Sequence, residues 1–220
     1  MVDEQKPGSL SNVFGLSSPQ HIYTKMMVDI WALQDASSVW AQNKPYPEPL
    51  FAAFNLAVTI WHMTDWLWMS SPANRQMLAK KYRFDFTNQD EFKKGGLDKG
   101  LKKFQDAVRL DCEDLNVCEE IANASKHMRR RTTNPNIKAV VEWELVTEDM
   151  GYAKKGDKKM SLAIHNGEEK KDATLVFIDA AGYWERLMLD NKLFSEEDIL
   201  DQKIKKGEAA PIVHEGDGVG

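Results

Sequence analysis

The sequence predicts a mainly α-helical bundle with a small antiparallel β-sheet inserted before the last helix. Two observations carry this prediction. Apolar residues recur at helical spacing over most of the first 131 residues, and serine-proline pairs divide this part into segments. From residue 137 the pattern changes to the partial alternation of strands, and a final helical pattern follows. With 42% hydrophobic and 29% charged residues, the 220-residue chain suits one ordinary domain.

Capping signals and prolines delimit the first helices. Ser18-Pro19 predicts the start of a helix that runs to about Gln42, because serine caps a helix and proline fits its first position. Three prolines then end it, since each removes a backbone donor. A second helix is predicted over residues 49–70, and Ser71-Pro72 opens a third that ends near Tyr82.

The second helix is apolar nearly all round, which is typical of the central helix of a bundle. Residues 50–69 are long enough to cross a bilayer, but Asn55, His62 and Asp65 lie among them. A carboxylate inside a membrane is costly. We therefore expect a buried helix and no membrane span.

The remaining helical part contains two further caps. Thr87-Asn88 predicts a short helical piece, and apolar residues at helical spacing predict a helix over residues 97–109. Asp111, with Asp114 three residues later, resembles a capped helix start. That helix is predicted to run to about Arg131.

The sheet is predicted from three segments. Residues 137–146 are rich in β-branched and aromatic side chains, and residues 160–165 and 172–178 form two further predicted strands. Asn166-Gly167 between them predicts a type I′ hairpin turn. The last helix is predicted over residues 180–193.

These patterns give the expected domain organisation. Residues 1–17 are a flexible N-terminal segment, residues 18–195 form a single helical-bundle domain, and the polar tail 196–220 is disordered. The sheet is an insertion at about residues 137–178 of that domain.

Composition excludes several classes. The net charge of −5 gives no overall attraction to polyanions, so any binding of nucleic acid requires a local patch. Cys112 and Cys118 are too few for a disulfide framework or a cysteine-built zinc site. The first residues lack a basic segment followed by an apolar core, so we expect no signal peptide and a cytoplasmic location.

Polar residues inside two helices are the candidate site. On the second helix Asn55, Thr59 and His62 share one face, and Asp65 lies one turn beyond His62. The helix ending near Arg131 carries a second polar stripe, which consists of Glu119 or Glu120, Asn123, His127 and Arg130. We expect the two helices to pack antiparallel, with His62, Asp65, Asn123 and His127 within reach of one another.

Ala122-Asn123-Ala124-Ser125-Lys126-His127 resembles the motif of the HEPN superfamily of helical bundles. That motif has an arginine, four to six intervening residues and a histidine, and a polar residue often follows the arginine. Here Asn123 and His127 are in register, whereas the arginine positions hold Glu120, Ile121 or Ala122. The resemblance covers about residues 18–131.

The resemblance implies a homodimer that binds or cleaves RNA in a phage-defence or toxin-antitoxin setting, without a metal or another cofactor. His127 would act as general acid or base, Lys126 or Arg130 would neutralise phosphate, and Asn123 would orient the imidazole. Because the motif arginine is missing, the chain is either a noncatalytic relative or an enzyme that uses Lys126, His62 and Asp65 differently.

Two other hypotheses fit the same residues. In the first, the chain is a noncatalytic protein-interaction module: the polar groups fix the register of the helices, and the sheet with the basic loop 154–159 binds a protein partner. In the second, His62, Asp65 and His127 hold a metal ion between facing helices. The chain lacks the repeated Glu-x-x-His spacing of di-metal bundles.

Overall fold

A computed structural model describes residues 18–38, 48–126, 134, 136–149, 154–156 and 158–193. The helices are α1 (Pro19–Ser38), α2 (Glu48–Ser70), α3 (Pro72–Lys81), α4 (Asn88–Glu91), α5 (Gly96–Asp111), α6 (Glu113–Lys126) and α7 (Ala173–Asp190). The strands β1 (Ile137–Leu145), β2 (Lys158–Asn166) and β3 (Glu169–Asp172) lie between α6 and α7 in the chain. The mainly helical fold with a small antiparallel sheet before the last helix is thereby confirmed. The predicted flexible segment 1–17 and disordered tail 196–220 lie outside the described residues.

α2 is the central helix, as its all-round apolar composition predicts. It packs against α1, α3, α5, α6 and α7, and ten of its 23 residues are buried. Two buried indoles bond to backbone carbonyls: Trp68 donates to Leu97 at 3.1 Å and Trp184 donates to Ile60 at 3.0 Å. Buried polar N–H groups need such acceptors. Within the described part of the chain, no helix has the length and apolar character needed to cross a membrane.

Three of the predicted helix starts are confirmed. α1 begins at Pro19, where the Ser18 hydroxyl accepts from the backbone N–H of His21 at 3.4 Å. The Ser71 hydroxyl accepts a hydrogen bond from the backbone N–H of Asn74 at the start of α3. Thr87 caps α4, and its own backbone N–H donates to the carboxylate of Asp90 at 2.7 Å. These bonds satisfy donors that a helix start leaves without an intrahelical partner. The predicted ends of the first helix near Gln42 and of the sixth near Arg131 lie outside the described residues.

The sheet has the strand order β1-β2-β3, with both pairs antiparallel. Ile137 of β1 is opposite Asn166 of β2, and Leu145 is opposite Lys158, so all nine residues of β1 are paired. The sheet packs on α7 through β2 and β3 and on α6 through β1. Ile164 of β2 belongs to the same hydrophobic core as the helices.

The predicted strand over residues 172–178 is wrong, because α7 begins at Ala173, seven residues before the predicted start of the last helix. The carboxylate of Asp172 caps this helix by accepting from the backbone N–H groups of Thr174 and Leu175. The apolar run after Asp172 therefore has helical rather than strand periodicity. Its buried members are Ala173, Val176, Phe177, Ala180, Ala181, Trp184, Leu187 and Met188.

The predicted hairpin turn is also wrong in position and type. Asn166 pairs with Glu169, so the turn residues are Gly167 and Glu168. A type I′ turn requires a positive φ at both residues, and of the two only Gly167 has one, at +63°.

The predicted cap at Asp111 is a further error. Asp111 is the last residue of α5, and α6 begins at Glu113 after the single residue Cys112. The carboxylate of Asp111 accepts from the Tyr183 hydroxyl instead, at 2.9 Å. Asp114, expected to complete the cap, forms an ion pair with Lys171 of β3.

Candidate functional site

The structure describes some of the predicted site residues and not others. His127 lies outside the described residues, and Lys126 ends α6 with a side chain that is also outside the described part. Asn123 is half-buried on α6, and His62 and Asp65 are half-buried on α2. Both residues of α2 interact with other groups of the protein. The predicted meeting of His62 and Asp65 with His127 therefore stays a prediction.

At Thr59, the polar stripe of α2 forms hydrogen bonds with α1. The buried Thr59 hydroxyl accepts from the Lys25 ammonium at 2.7 Å and lies 2.8 Å from the carboxylate of Asp29. Lys25 and Asp29 themselves form an ion pair one helical turn apart. The Thr59 hydroxyl is also 2.9 Å from the Asn55 carbonyl. This network ties α1 to α2, whereas the sequence pattern assigned the stripe to a partner on α6.

Next to His62 and Asp65, α2 is also joined to α5. Thr64 is fully buried, and its hydroxyl donates to the Trp61 carbonyl at 2.9 Å. The same oxygen accepts from the Gln105 amide of α5 at 3.3 Å. Asp65 Oδ2 lies 3.5 Å from this hydroxyl. The buried Thr64 hydroxyl thus both donates and accepts a hydrogen bond within the helices.

Asn123 belongs to a charged cluster between α5 and α6. Its amide donates to the carboxylate of the buried Glu119 at 3.3 Å. Arg109 of α5 donates to the other oxygen of Glu119 at 2.8 Å and also pairs with Asp106. A buried carboxylate is stable only when it is paired and hydrogen-bonded. Arg109 and Asn123 both supply this stabilisation.

The sequence did not reveal the cluster of Tyr82, Tyr183 and Asp111. The two tyrosine hydroxyls lie 2.5 Å apart, and Tyr183 donates to Asp111. Burial raises the pKa of Tyr183 and of Tyr82 far above the ordinary value. Both hydroxyls therefore stay protonated in the neutral range and connect α3, α5 and α7. No sequence signal identifies this set, because its members are up to 101 residues apart.

Among the residues that the structure describes, no three His, Cys, Asp or Glu side chains are grouped as a metal site would require. The metal hypothesis included His127, which lies outside that part of the chain. The two cysteines are free, and burial raises the pKa of both thiols. Neither thiol has the lowered pKa of a reactive cysteine.

An apolar cavity of about 160 Å³ lies between the helices and the sheet. Its wall is formed by residues of α2, α6, β1, β2 and α7, which include Leu50, Phe54, Ile121, Ala139, Leu162 and Phe177. All its lining side chains are apolar. A cavity of this kind has no group for acid-base chemistry and none to orient a polar substrate.

Beside this cavity, large apolar side chains of β1 are exposed to solvent. Val141, Trp143 and Leu145 are 38%, 50% and 66% exposed. On the first turns of α2, Leu50 is 40% and Phe51 62% exposed. Leu50 and Val141 both line the cavity, so the two groups flank the same cavity. We call these five residues the apolar patch.

The opposite face of the sheet is polar. The carboxylate of Glu142 forms an ion pair with Lys170 and lies 3.1 Å from the His165 imidazole, within hydrogen-bond distance. The hydrogen bond from Lys170, and to a smaller extent the one with His165, lowers the pKa of the Glu142 carboxyl. The contact with Glu142 in turn raises the pKa of Lys170. The two faces of β1 therefore differ sharply, and the alternation of residues 137–145 in the sequence was the available signal for this difference.

Comparison of the chain with models of protein families, with curated proteins and with solved structures gives no match. The assignment of a function therefore depends on the residues and geometry of this chain.

Proposed function

We propose that this chain is a noncatalytic protein-interaction module, in which the helices form a rigid support and the apolar patch binds protein. The exposure of Val141, Trp143 and Leu145 on β1 carries this proposal. Proteins that act as monomers in water rarely leave contiguous large apolar side chains exposed, and such patches mark interaction sites. Tryptophan is also enriched among the residues that dominate binding energy.

The described polar groups of the helices support a structural role. Thr59, Thr64 and Asn123 each bond to side chains of the bundle. Groups engaged in this way fix the register of neighbouring helices, because a shift would leave buried donors and acceptors unpaired. The net charge of −5 favours a protein partner over a polyanion.

The HEPN-like ribonuclease hypothesis depends on His127 and Lys126 and stays a prediction. It is tested by incubating the purified chain with RNA in the presence of a chelator. We expect no cleavage above background from the wild type or from His127→Ala. Cleavage by the wild type that disappears in a folded His127→Ala variant would overturn the noncatalytic proposal.

The structural role of the polar residues has its own measurement. Asn123→Ala removes a bond to the buried Glu119 carboxylate and should lower the free energy of unfolding by roughly 1 kcal/mol. Asn116→Ala, also at a half-buried position of α6, is the matched control and should cost less. Equal stability of the two variants would contradict the structural role of Asn123.

The binding surface is tested by a photo-reactive amino acid at position 143, with the exposed position 99 of α5 as control. In the cells that express the chain, we expect protein adducts at position 143 and none at position 99. RNA adducts, or equal adducts at both positions, would contradict the assignment of the binding surface.

A further inference from the structure

β1 is the edge strand of the sheet. The order β1-β2-β3 places β2 on one side of it, and among the described residues no strand pairs with its other side. A nine-residue edge strand presents a row of backbone N–H and C=O groups that can pair with another strand. Natural edges are often protected by a proline or a bulge. The sequence of β1 contains no proline, and its nine residues pair with β2 without interruption.

The residues of β1 alternate between its two faces. Ile137, Ala139, Val141, Trp143 and Leu145 share the face that borders the apolar cavity. At one end of this face, Ile137 packs against the core. Exposure increases from Val141 to Leu145. The edge and the apolar face are therefore open at the same part of the strand.

We propose that β1 pairs antiparallel with β1 of a second copy of this chain, about a two-fold axis through Val141. This inference rests on the proposed function and names its partner. The pairing joins two three-stranded sheets into one of six strands. It also brings the apolar patches of the two copies to the same side of the joined sheet.

Charge complementarity supports this partner and this register. With Val141 opposite itself, Lys138 of each copy is opposite Glu144 of the other, so two ion pairs form across the axis. Both residues are exposed in the single chain and available for pairing. Opposite charges directly across a strand pair are stabilising, whereas like charges are destabilising.

The apolar side chains are complementary as well. On the cavity face, Ile137 is opposite Leu145, and the small Ala139 is opposite the large Trp143. Because Ala139 lines the cavity, Trp143 of the second copy would lie over the cavity mouth. An aromatic ring placed there removes its own surface and that of the cavity from water.

Neighbouring registers are less favourable. A shift of two residues in one direction places Glu142 opposite Glu142 of the second copy, which is a like-charge contact. A shift in the other direction leaves Glu144 and Leu145 without partners on β1. The register centred on Val141 pairs all nine residues and sets Val140 opposite Glu142, whose charge is already balanced by Lys170.

The test is sedimentation of the full chain over a wide concentration range. We expect the wild type to form a species of twice the 25.1 kDa chain mass. Lys138→Glu and Glu144→Lys each create two like-charge contacts and should weaken self-association at least about tenfold. Lys99→Glu makes the same change of charge on α5, away from β1, and should leave association unchanged.

Charge reversal on both sides makes the experiment specific for this register. An equimolar mixture of Lys138→Glu and Glu144→Lys restores both ion pairs and should form a heterodimer. The double variant Lys138→Glu/Glu144→Lys should recover the homodimer. Near-ultraviolet circular dichroism shows that each variant has folded.

Three results would overturn the inference: a monomeric wild type, single variants that associate like the wild type, or a mixture that remains monomeric. A monomeric wild type that still forms specific protein adducts at position 143 would refute the second copy as partner and leave the proposed function intact. Dimers without any effect of charge reversal would place the interface elsewhere on the molecule.

Discussion

Trp68 and Trp143 show how differently the two regions of this molecule use the same side chain. Trp68 on α2 is fully buried, packs against the rings of Phe84, Phe86 and Phe104, and donates its indole N–H to the Leu97 carbonyl. Trp143 on β1 is half exposed. Around Trp68 the helices build a closed aromatic core, whereas the edge of the sheet leaves Val141, Trp143 and Leu145 exposed to solvent. Under the proposed function, the helical core supplies stability and the edge of the sheet supplies the binding surface.

The largest expected effect comes from truncating the two tryptophans. Trp68→Ala removes a ring from the closed core and should lower the free energy of unfolding by about 4 kcal/mol. Trp143→Ala should cost less than about 0.5 kcal/mol in dilute protein, because its ring is half in water. Urea denaturation at low protein concentration measures both. Similar losses for the two variants would show that β1 is covered, and the comparison between the regions would fail.

A smaller effect is expected at two helical glycines. A β-carbon on Gly100 of α5 would lie 2.3 Å from the Trp68 ring and 2.7 Å from the Phe86 ring. Gly100→Ala should therefore destabilise the fold by roughly 2 kcal/mol through overpacking. At Gly182 of α7 the nearest group is the flexible end of Arg186, at 3.4 Å. Gly182→Ala should stabilise by roughly 0.5–1 kcal/mol, as helix propensity alone requires.

Thermal and urea denaturation of the two glycine variants give the comparison directly. The same Gly→Ala substitution is expected to lower the free energy of unfolding at position 100 and to raise it at position 182. Stabilisation by Gly100→Ala would mean that the aromatic cluster around Trp68 is loosely packed, and the closed-core description would have to be abandoned.

A destabilisation smaller than that of Gly100→Ala is expected for the ion pair between Arg75 and Glu91. The Arg75 guanidinium donates to both oxygens of Glu91 at 2.9 Å and to the Trp68 carbonyl at 3.1 Å. Glu91→Gln should cost roughly 1.5 kcal/mol at neutral pH, because hydrogen bonds to charged groups are stronger than neutral ones. Glu168→Gln, in the exposed hairpin turn, should cost almost nothing.

The sign of the pH dependence follows from the same pair. Arg75 lowers the pKa of Glu91 below its ordinary value near 4.5. The folded state therefore holds the Glu91 proton less tightly than the unfolded state. Its stabilising contribution is complete above pH 4.5 and is lost as the pH falls through the lower pKa of the folded state. The difference between wild type and Glu91→Gln should shrink over that window, and a difference that grows in acid would contradict this account.

Much of the fold could be predicted because its signals are local. Ser71 and Thr87 cap the helices that the sequence assigns to them, and the change of periodicity at residue 137 locates β1. Prediction failed where two local signals competed. After the hairpin, a β-branched and aromatic run suggested a strand, whereas the carboxylate of Asp172 caps a helix over the same residues.

The candidate site was less predictable, because a polar stripe on one helix does not show which element packs against it. The sequence placed Thr59 and Asn123 on polar faces, and both faces exist. In the structure, Thr59 forms hydrogen bonds with Lys25 and Asp29 of α1. Asn123 bonds to Glu119, which in turn pairs with Arg109 of α5. The i, i+4 spacing of Glu119 and Asn123 is visible in the sequence, but the contacts of Thr59 with α1 and of Glu119 with Arg109 could not be deduced from it. Spacing defines a direction around one helix axis only.

The sequence by itself determined the helical class, the central position of α2, and the alternation that makes one face of β1 apolar. The tertiary structure alone decided which surfaces are covered: Gly100 lies against two aromatic rings, and Val141, Trp143 and Leu145 remain in water. The physical reason is that periodicity results from the geometry of a single element. Burial depends on which other elements reach that face.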